Sequence, residues 1–224
     1  MPHGPRIIPP SRTGPSALQL GIAATIAIIV VGALIFLGNV QPLAPPAAAA
    51  PGITSSANVM GTSAAPVTIE EWADFQCPAC RAFATGAERQ LRTAYVATGK
   101  VRFVFHHLAF IGPESTWAAE AAECAGEEGR FFDFHDKLFA LQREENTGAF
   151  TKLNLQKIAR DLGLSTGFDV CLTGDRFAQR IRADTEAGQQ KGVSATPTFF
   201  INGRKIEGSL SFEQLGTIID PLIK

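Results

Sequence analysis

The sequence has no surplus of positive charge. Its 224 residues contain 20 Lys and Arg against 21 Asp and Glu, a formal net charge of −1. Proteins that bind nucleic acid draw much of their affinity from basic side chains placed on phosphates, so this balance argues against that class. Cysteine is also scarce, and four residues are too few for a small scaffold held together by many disulfides.

Charge is almost absent from the first 51 residues, which contain only Arg6 and Arg12. The segment 17–38 has no charged residue and is long enough to cross the ~30 Å hydrocarbon core of a bilayer. Because both arginines precede it, the positive-inside bias predicts a cytoplasmic N-terminus at 1–16 and an exported remainder. We interpret 17–38 as an uncleaved transmembrane signal-anchor. A cleaved signal peptide, with the alanines at 47–50 as its cleavage region, is the alternative.

A segment rich in Pro and Ala follows the apolar one. We interpret 39–57 as a linker and 58–224 as one exported domain that is long enough to bury a core. The predicted location is the cell membrane, with a single pass and the large domain outside the cytoplasm. Disulfides persist outside the cytoplasm, so the four cysteines are best considered in pairs.

The pattern of apolar residues in this domain predicts strands, then helices, then strands again. A helical block at about 113–191, with Asp175 as the expected cap of its last helix, separates two groups of elements. The predicted elements around the block are a strand at 67–75, a helix at 78–98, a strand at 101–106, a strand at 195–201, a turn at Asn202-Gly203, a strand at 204–207 and a helix capped by Ser211 and Gln214. This order predicts an α/β fold with an inserted helical domain.

A Cys-Pro-Ala-Cys motif occupies 77–80, where the first strand passes into the first helix. Such a motif can be half of a zinc site, a structural pair or a redox pair. Zinc would need two further ligands, and His106 and His107 are the nearby candidates. Adjacent strand residues point to opposite faces, so we predict no metal site here.

The redox interpretation has a physical basis in the helix that begins at the motif. Pro78 suits the first helical position, which makes Cys77 the N-cap residue. Unpaired amide groups and the helix dipole stabilise a thiolate there. We therefore predict that Cys77 is the exposed nucleophile and Cys80 the more buried resolving thiol. A Cys77 pKa of about 4 would favour the reduced form by roughly 4 kcal/mol at pH 7, or about 90 mV of oxidising power.

One acidic residue is predicted to lie beneath the motif. Strand alternation places Glu71 on the same face as Ile69 and Ala73, so we predict that its carboxyl group is buried. Burial raises the pKa of a carboxyl group, which could then accept or relay the proton of Cys80. The alternative is an exposed Glu71 at a sheet edge. Glu70, on the other face, is predicted to face solvent.

The Cys-Pro-Ala-Cys motif, the helical insertion and the late segment Gly-Val-Ser-Ala-Thr-Pro-Thr-Phe at 192–199 together resemble the DsbA-type thiol:disulfide oxidoreductases of the thioredoxin fold. The resemblance covers about 58–224. It implies a cis Pro197 beside the redox pair, with Thr196 offering backbone groups to an extended substrate. Pro78 and Ala79 are further expected substrate contacts. Glu71 matches the buried acid of the family, six residues before the first cysteine.

The second cysteine pair, Cys124 and Cys171, lies in the helical block outside any C-x-x-C motif. For an exported domain we favour a structural disulfide, which would close a loop of about 48 residues and contribute roughly 4 kcal/mol in the chain-entropy model. A second redox relay and a pair of unpaired buried thiols are the alternatives.

The resemblance implies an enzyme that mainly oxidises the thiols of exported proteins and needs no cofactor of its own. Reduced or unfolded exported proteins are the expected substrates, and a quinone-linked membrane protein of the DsbB or VKOR type is the expected reoxidant. A thiol–disulfide reductase in repair or cytochrome maturation is one alternative. A redox-inactive peptide-binding or chaperone module is another.

Overall fold

The computed structural model describes residues 55–56 and 58–223. The predicted cytoplasmic segment 1–16, the signal-anchor 17–38 and most of the linker 39–57 lie outside the described residues. Within the described part, no helix combines the length and the apolar character that crossing a membrane requires. Ser55–Ser56, at the end of the predicted linker, forms a strand because it pairs antiparallel with Val59–Met60.

A six-stranded mixed sheet lies at the centre of the domain. In chain order its strands are β1 Ser55–Ser56, β2 Val59–Met60, β3 Val67–Ala73, β4 Val101–His107, β5 Thr198–Ile201 and β6 Arg204–Glu207. Their spatial order is β1-β2-β4-β3-β5-β6, with only the β3–β4 pair parallel. β3 therefore has a partner on both sides, and Glu71 stands between Phe105 of β4 and Phe199 of β5.

Helices cover the sheet and form the insertion. They are α1 Pro78–Thr85, α2 Ala87–Leu91 with a π-helical turn Arg92–Val96, α3 Pro113–Glu127, α4 Phe131–Leu141, α5 Lys152–Asp161, α6 Thr166–Thr173, α7 Ala178–Gln190 and α8 Phe212–Ile219, which a 3-10 turn at Asp220–Leu222 follows. Helices α3 to α7 occupy the predicted insertion between the two strand-containing parts. The α/β thioredoxin-like order predicted from the sequence is therefore present.

The predicted hairpin turn and the predicted cap of the last helix are both confirmed. Asn202 and Gly203 both have positive φ, 46° and 84°, and they join β5 to β6 as a tight hairpin. The side chains of Ser211 and Gln214 form the predicted capping box of α8. In both cases the residues that determine the geometry lie within four positions of one another.

Two predictions about helix boundaries are wrong. The helix expected over 78–98 is divided at Gly86, whose φ of −113° and ψ of −96° lie outside the helical region. Asp175 does not cap α7, because its own φ is 50° and its carboxylate pairs with Lys152; the residue before α7 is Phe177, which makes no side-chain cap. At Asp175 a tertiary ion pair with Lys152 outweighed the local preference.

The core lies mainly between one face of the sheet and helices α1 to α6 and α8, and it is rich in phenylalanine. Phe75, predicted to end the first strand, lies in the turn after β3 and stacks on Phe105 with ring centroids 5.2 Å apart. The opposite face of β3 is covered at one point by α7, which buries Trp72 together with Leu108 and Val193. Cys77 and Cys80 therefore follow a strand that is packed on both faces.

Candidate active site

The Cys-Pro-Ala-Cys turn has the predicted helical geometry. Cys77 is the N-cap residue of α1, with φ −73° and ψ 122°, and Pro78 opens the helix. Cys77 is 8% exposed and Cys80 is completely buried. The prediction of an exposed nucleophile is thus wrong in degree, because the loop before β5 packs against the Cys77 sulfur. Cys77 is still the more accessible of the two thiols.

The peptide bond between Thr196 and Pro197 is cis, as the family resemblance implied. The Cys77 thiol donates to the carbonyl oxygen of Thr196 over 3.3 Å. The carbonyl oxygen of Pro197 in turn accepts from the amide of Gly208 beyond β6. The start of β5 is thereby fixed directly beside the cysteine pair.

The two thiols have pKa values displaced in opposite directions. Hydrogen bonding from the Cys80 thiol is the main cause that lowers the pKa of Cys77 to about 6, and contacts with Thr196 and with two amides of α1 support it against the opposing effect of burial. Burial raises the pKa of Cys80 well above its ordinary value. At neutral pH the pair therefore favours a thiolate on Cys77 and a proton on Cys80.

Glu71 is completely buried below this pair, which rules out the alternative of an exposed edge position. Within the part of the chain that the structure describes, neither of its carboxyl oxygens has a hydrogen-bond partner. Burial is the main cause that raises the pKa of Glu71 well above its ordinary value; the nearby Glu88 adds to it and Arg92 opposes it. Its role as a proton acceptor for Cys80 stays a prediction.

Gln142, at the end of α4, holds the backbone of the active-site turn. Its side-chain amide donates to the carbonyl oxygen of Phe75 over 2.7 Å and to that of Cys77 over 3.0 Å. The residue is buried, so the two bonds satisfy carbonyl groups that water cannot reach. No local pattern in the sequence could reveal this contact, because Gln142 is separated from the motif by more than 60 positions.

Asp74 fixes the other side of the turn. Its carboxylate accepts from the amide of Gln76 and the hydroxyl of Ser115, at 2.8 and 2.7 Å, and from the amides of Phe110 and Ile111. Four donors on one buried carboxylate link the residue before the motif to the start of the insertion. The helical insertion is therefore a structural support of the cysteine turn, which the sequence did not indicate.

Cys124 and Cys171 are joined by a disulfide between α3 and α6. Both residues are 1% exposed, and the bond closes a loop between positions separated by 47. The alternative of two unpaired thiols is thus wrong for this structure. The buried bond lies in the insertion, where it connects helices that hold the core.

The two adjacent histidines of β4 lie on opposite faces of the sheet. His106 stacks on Trp72 with ring centroids 4.4 Å apart, whereas His107 is buried and bonds Glu123 over 3.0 Å. They therefore cannot jointly complete a zinc site with Cys77 and Cys80. Burial is also the main cause that lowers the pKa of His106 to about 4.

Comparison with known proteins assigns the fold and the motif to a family. A family model described as Thioredoxin matches residues 54–221, most of the chain. The chain belongs to the thioredoxin family. Within that family the chain is similar to DsbA-type proteins, as its relatives and structural neighbours indicate.

Among the relatives is disulfide bond formation protein D of Bacillus subtilis, 29% identical over 174 residues, which cover 74% of this chain and 77% of that protein. The crystal structure of oxidised BdbD from Bacillus subtilis superimposes with a TM-score of 0.68 at 28% identity, covering 77% of this chain and 96% of that one. Na(+)/H(+) antiporter NhaA 3 of Salinispora tropica is 39% identical over 165 residues, or 72% of this chain. The chain spans about a quarter of that antiporter, 24% of its length.

Proposed function

We propose that this chain is an extracytoplasmic thiol–disulfide oxidoreductase that mainly oxidises the thiols of exported proteins through a Cys77–Cys80 disulfide. The observation that supports it most directly is the separation of the two pKa values, with Cys77 lowered to about 6 and Cys80 raised by burial. One sulfur is thus suited to be attacked and released as a thiolate, and the other to hold a proton.

The proposed reaction has two exchange steps. A substrate thiolate attacks the sulfur of Cys77, the bond to Cys80 breaks, and Cys80 leaves as a thiolate that takes up a proton. A second substrate thiolate then attacks the substrate sulfur of this mixed disulfide and releases Cys77 as a thiolate. The substrate leaves as a disulfide, two electrons remain on the enzyme, and Glu71 is the proposed source of the Cys80 proton.

The size of the Cys77 shift limits the oxidising power. With a pKa of about 6, stabilisation of the thiolate favours the reduced form at pH 7 by at most about 1.4 kcal/mol, or about 30 mV. This is about a third of the value expected for a pKa of about 4. The smaller shift keeps a reductase in repair or cytochrome maturation as the second candidate function.

Substrate binding is proposed at the loop that ends in the cis proline, because both edges of β5 beyond it are already paired. The carbonyl oxygen of Thr196 lies against the Cys77 sulfur, so an extended chain that reaches Cys77 also passes this backbone. Pro78, the first residue of α1, is exposed beside it, and Ala79 is partly exposed. Phe110, in the loop that bonds Asp74, exposes 49% of its surface. Reduced or unfolded exported proteins are the proposed substrates.

The proposed location is the cell membrane, with 17–38 as a single-pass anchor, the N-terminus in the cytoplasm and the cysteine domain outside. The proposed reoxidant is a quinone-linked membrane protein of the DsbB or VKOR type, because each turnover leaves two electrons on Cys77 and Cys80. Fractionation of cells, followed by protease treatment of intact cells, tests the location. Recovery of the chain in the soluble cytoplasmic fraction would contradict it.

The redox equilibrium of the full chain in glutathione buffers tests the proposed function. Alkylation of the peptide that contains Cys77 and Cys80 measures the pair separately from the second disulfide. We expect a potential closer to the −120 mV of a strong oxidase than to the −270 mV of an electron-fed reductase. A value near −270 mV would reject the oxidase in favour of the reductase. Survival of function in cells after Cys77→Ser would instead favour a redox-inactive binding module.

A further inference from the structure

A buried cluster of charged side chains lies between Glu71 and the protein surface. Glu88 of α2 and His135 of α4 are completely buried, whereas the side chain of Asp136 is 39% exposed. Arg92, in the π-helical turn after α2, donates to Glu88 over 2.9 Å and to both carboxyl oxygens of Asp136 at 2.7 and 2.8 Å. Burying charged groups costs free energy unless they are paired. The exchange reaction proposed above does not involve these side chains.

The imidazole of His135 is placed between two carboxylates. Its Nδ1 lies 2.8 Å from Oδ1 of Asp136, and its Nε2 lies 3.7 Å from Oε2 of Glu88. An imidazole can accept a proton at one nitrogen and release one from the other. His135 therefore connects a buried carboxylate with one that reaches solvent.

The inner end of the cluster lies against the same face of the sheet as Glu71. Among the buried side-chain atoms of the described residues, Glu71 Oε1 and Oε2, Glu88 Oε2 and His135 Nε2 all lack a hydrogen-bond partner. The His135 ring packs edge-on against Phe105, with centroids 5.0 Å apart, and Phe105 is the β4 neighbour of Glu71. Polar atoms without partners on three neighbouring side chains are places where a proton or a bridging water would be held.

The same side chains include the ligand types of a small metal site, since Glu88, His135 and Asp136 offer one nitrogen and two carboxylates within a short distance. However, the guanidinium group of Arg92 already bonds both carboxylates and supplies a fixed positive charge between them. A divalent cation would have to compete with this charge. Proton transfer needs no such displacement.

We propose that Glu88 and His135 pass protons between Glu71 and the partly exposed Asp136, so that Cys80 can exchange its proton with solvent. The proposal rests on the proposed oxidoreductase function and adds to it the route of the proton. When Cys80 leaves as a thiolate, it takes the proton of the Glu71 carboxyl group; Glu71 regains one through Glu88 and His135, and His135 regains one at Asp136. During reoxidation the same proton leaves in the reverse direction.

Because Cys80 is buried, it needs an internal route to exchange its proton with solvent. Cys80 has no exposed surface, and the Cys77 sulfur and the loop at Thr196 lie between it and the substrate side. Every cycle changes Cys80 between thiol, thiolate and disulfide, and a thiolate beside an ionised Glu71 would place two like charges in the core. The groups whose charge acts on Glu71 are Glu88 and Arg92, from α2 and the turn after it, and Cys77, at the N-cap of α1; the charge of Glu71 in turn acts on Cys80.

The test uses His135→Gln, which removes proton transfer at neutral pH and leaves Asp136 and Glu88 bonded to Arg92. His107→Gln is the matched control. His107 is 1% exposed, packs against the same Phe75 and Phe105 rings, and bonds the buried Glu123, which keeps Arg180 as its partner after the change. Both variants therefore remove one buried imidazole from one aromatic layer and leave an arginine on the carboxylate.

Reduced full-length protein is mixed rapidly with increasing concentrations of oxidised glutathione, and the thiols are trapped by acid quench. The second-order phase measures attack by the Cys77 thiolate, and the saturating first-order phase measures closure by Cys80, which must lose its proton. We expect His135→Gln to slow closure by about a hundredfold, the lower end of the range of general acid–base catalysis, and to reduce its solvent isotope effect. The attack by Cys77 and the equilibrium constant with glutathione should change less than about twofold, as should both rates in His107→Gln.

Wild-type closure rates and isotope effects in His135→Gln would overturn the proposal, and so would equal slowing by His107→Gln, which would indicate a packing effect. Glu88→Gln, which retains an oxygen for Arg92, is the second variant if His135→Gln does not fold, and the same slowing of closure is expected. A wild-type protein that forms no Cys77–Cys80 disulfide with glutathione would instead reject the proposed function, and this proposal with it.

Discussion

The sulfur of Cys77 lies 3.3 Å from the carbonyl oxygen of Thr196, a residue 119 positions further along the chain. This contact joins the helix that presents the nucleophile to the loop that leads into β5. Thr196 is also among the groups that lower the pKa of Cys77, after the hydrogen bond from Cys80. The reactivity of the motif therefore depends on a residue outside it.

Replacing Thr196 by Val should raise the pKa of Cys77 above its value of about 6, because the side-chain hydrogen bond is lost while the shape is kept. Thiolate absorbance near 240 nm, followed from pH 4 to 10, measures it. Thr198→Val is the control, since the Thr198 hydroxyl bonds the carbonyl of Ala195 instead of a cysteine. An unchanged midpoint in Thr196→Val would show that this hydroxyl does not act on the thiolate.

Reduction should stabilise the folded protein more as the pH rises from 6 to about 8.5. The pKa of Cys77 is lower in the fold than in the unfolded chain, so its contribution is lost when the pH falls through 6 and is complete above the ordinary thiol range. Urea unfolding of the reduced and the oxidised protein at pH 5, 7 and 9 measures the difference. The free energy of unfolding of the reduced protein minus that of the oxidised protein should rise with pH, by at most about 1.4 kcal/mol per pH unit. A fall of this quantity between about pH 6 and 8.5 would contradict the assignment.

Glu71→Met should make the protein more stable and less active. Burial raises the pKa of Glu71, so the wild-type carboxyl group costs stability that grows as the pH rises above about 4.3, at about 1.4 kcal/mol for each unit of the shift. The variant should therefore gain free energy of unfolding at pH 7 but not at pH 4, while closure by Cys80 slows.

Glu70→Met provides the control for this change, because the Glu70 side chain is 32% exposed and lies on the other face of β3. It should leave closure by Cys80 unaltered. If Glu71→Met were destabilising at pH 7, an unrecognised partner would have to pair with the carboxylate.

Removing the disulfide in the double variant Cys124→Ala/Cys171→Ala should lower the free energy of unfolding by about 4 kcal/mol, the chain-entropy value for a loop of this length. Equilibrium unfolding in urea under oxidising conditions measures the loss. The potential of Cys77 and Cys80 should stay unchanged, since the second bond lies between α3 and α6. A changed potential of Cys77 and Cys80 would support the alternative that Cys124 and Cys171 form a second redox relay.

Gly188→Ala should destabilise the domain by about 1–3 kcal/mol, the usual cost of overpacking. A Cβ at this position in α7 would lie 2.6 Å from the Trp72 ring and 2.7 Å from Leu108, and both of these side chains are buried. Gly216→Ala in α8 is the matched control, because its Cβ would meet nothing nearer than the Tyr95 hydroxyl at 3.4 Å. Thermal unfolding should separate the two variants, with Gly216→Ala neutral or slightly stabilising.

The sequence predicted those parts of the site that local geometry determines. Helix capping placed Cys77 at the start of α1, and strand alternation placed Glu71 inside the core, where the structure has it. Both inferences use only residues within ten positions of the motif. The division of the first helix at Gly86 was missed because a single glycine can lie within a helix or end one.

The supporting residues could not be found in this way. Gln142 and Asp74 hold the turn, and His135 approaches Glu88, only because helices of the insertion pack against the sheet at particular angles. His135 sits between Phe134 and Asp136 in the sequence, a pattern typical of packing. Its nearness to Glu88, 47 positions away, depends on the tertiary fold alone.

The central place of β3 in the sheet has a consequence for the dynamics of the site. β3 pairs with β4 along its whole length and with β5 from Ile69 to Trp72, so its amide groups cannot be freed by fraying of an edge. Deuterium should therefore enter this strand only when the entire domain opens, and it should enter the β6 edge much sooner. The acid beneath the cysteines is thus held in the segment whose local opening is rarest, and its distance from the sulfurs persists through many rounds of exchange.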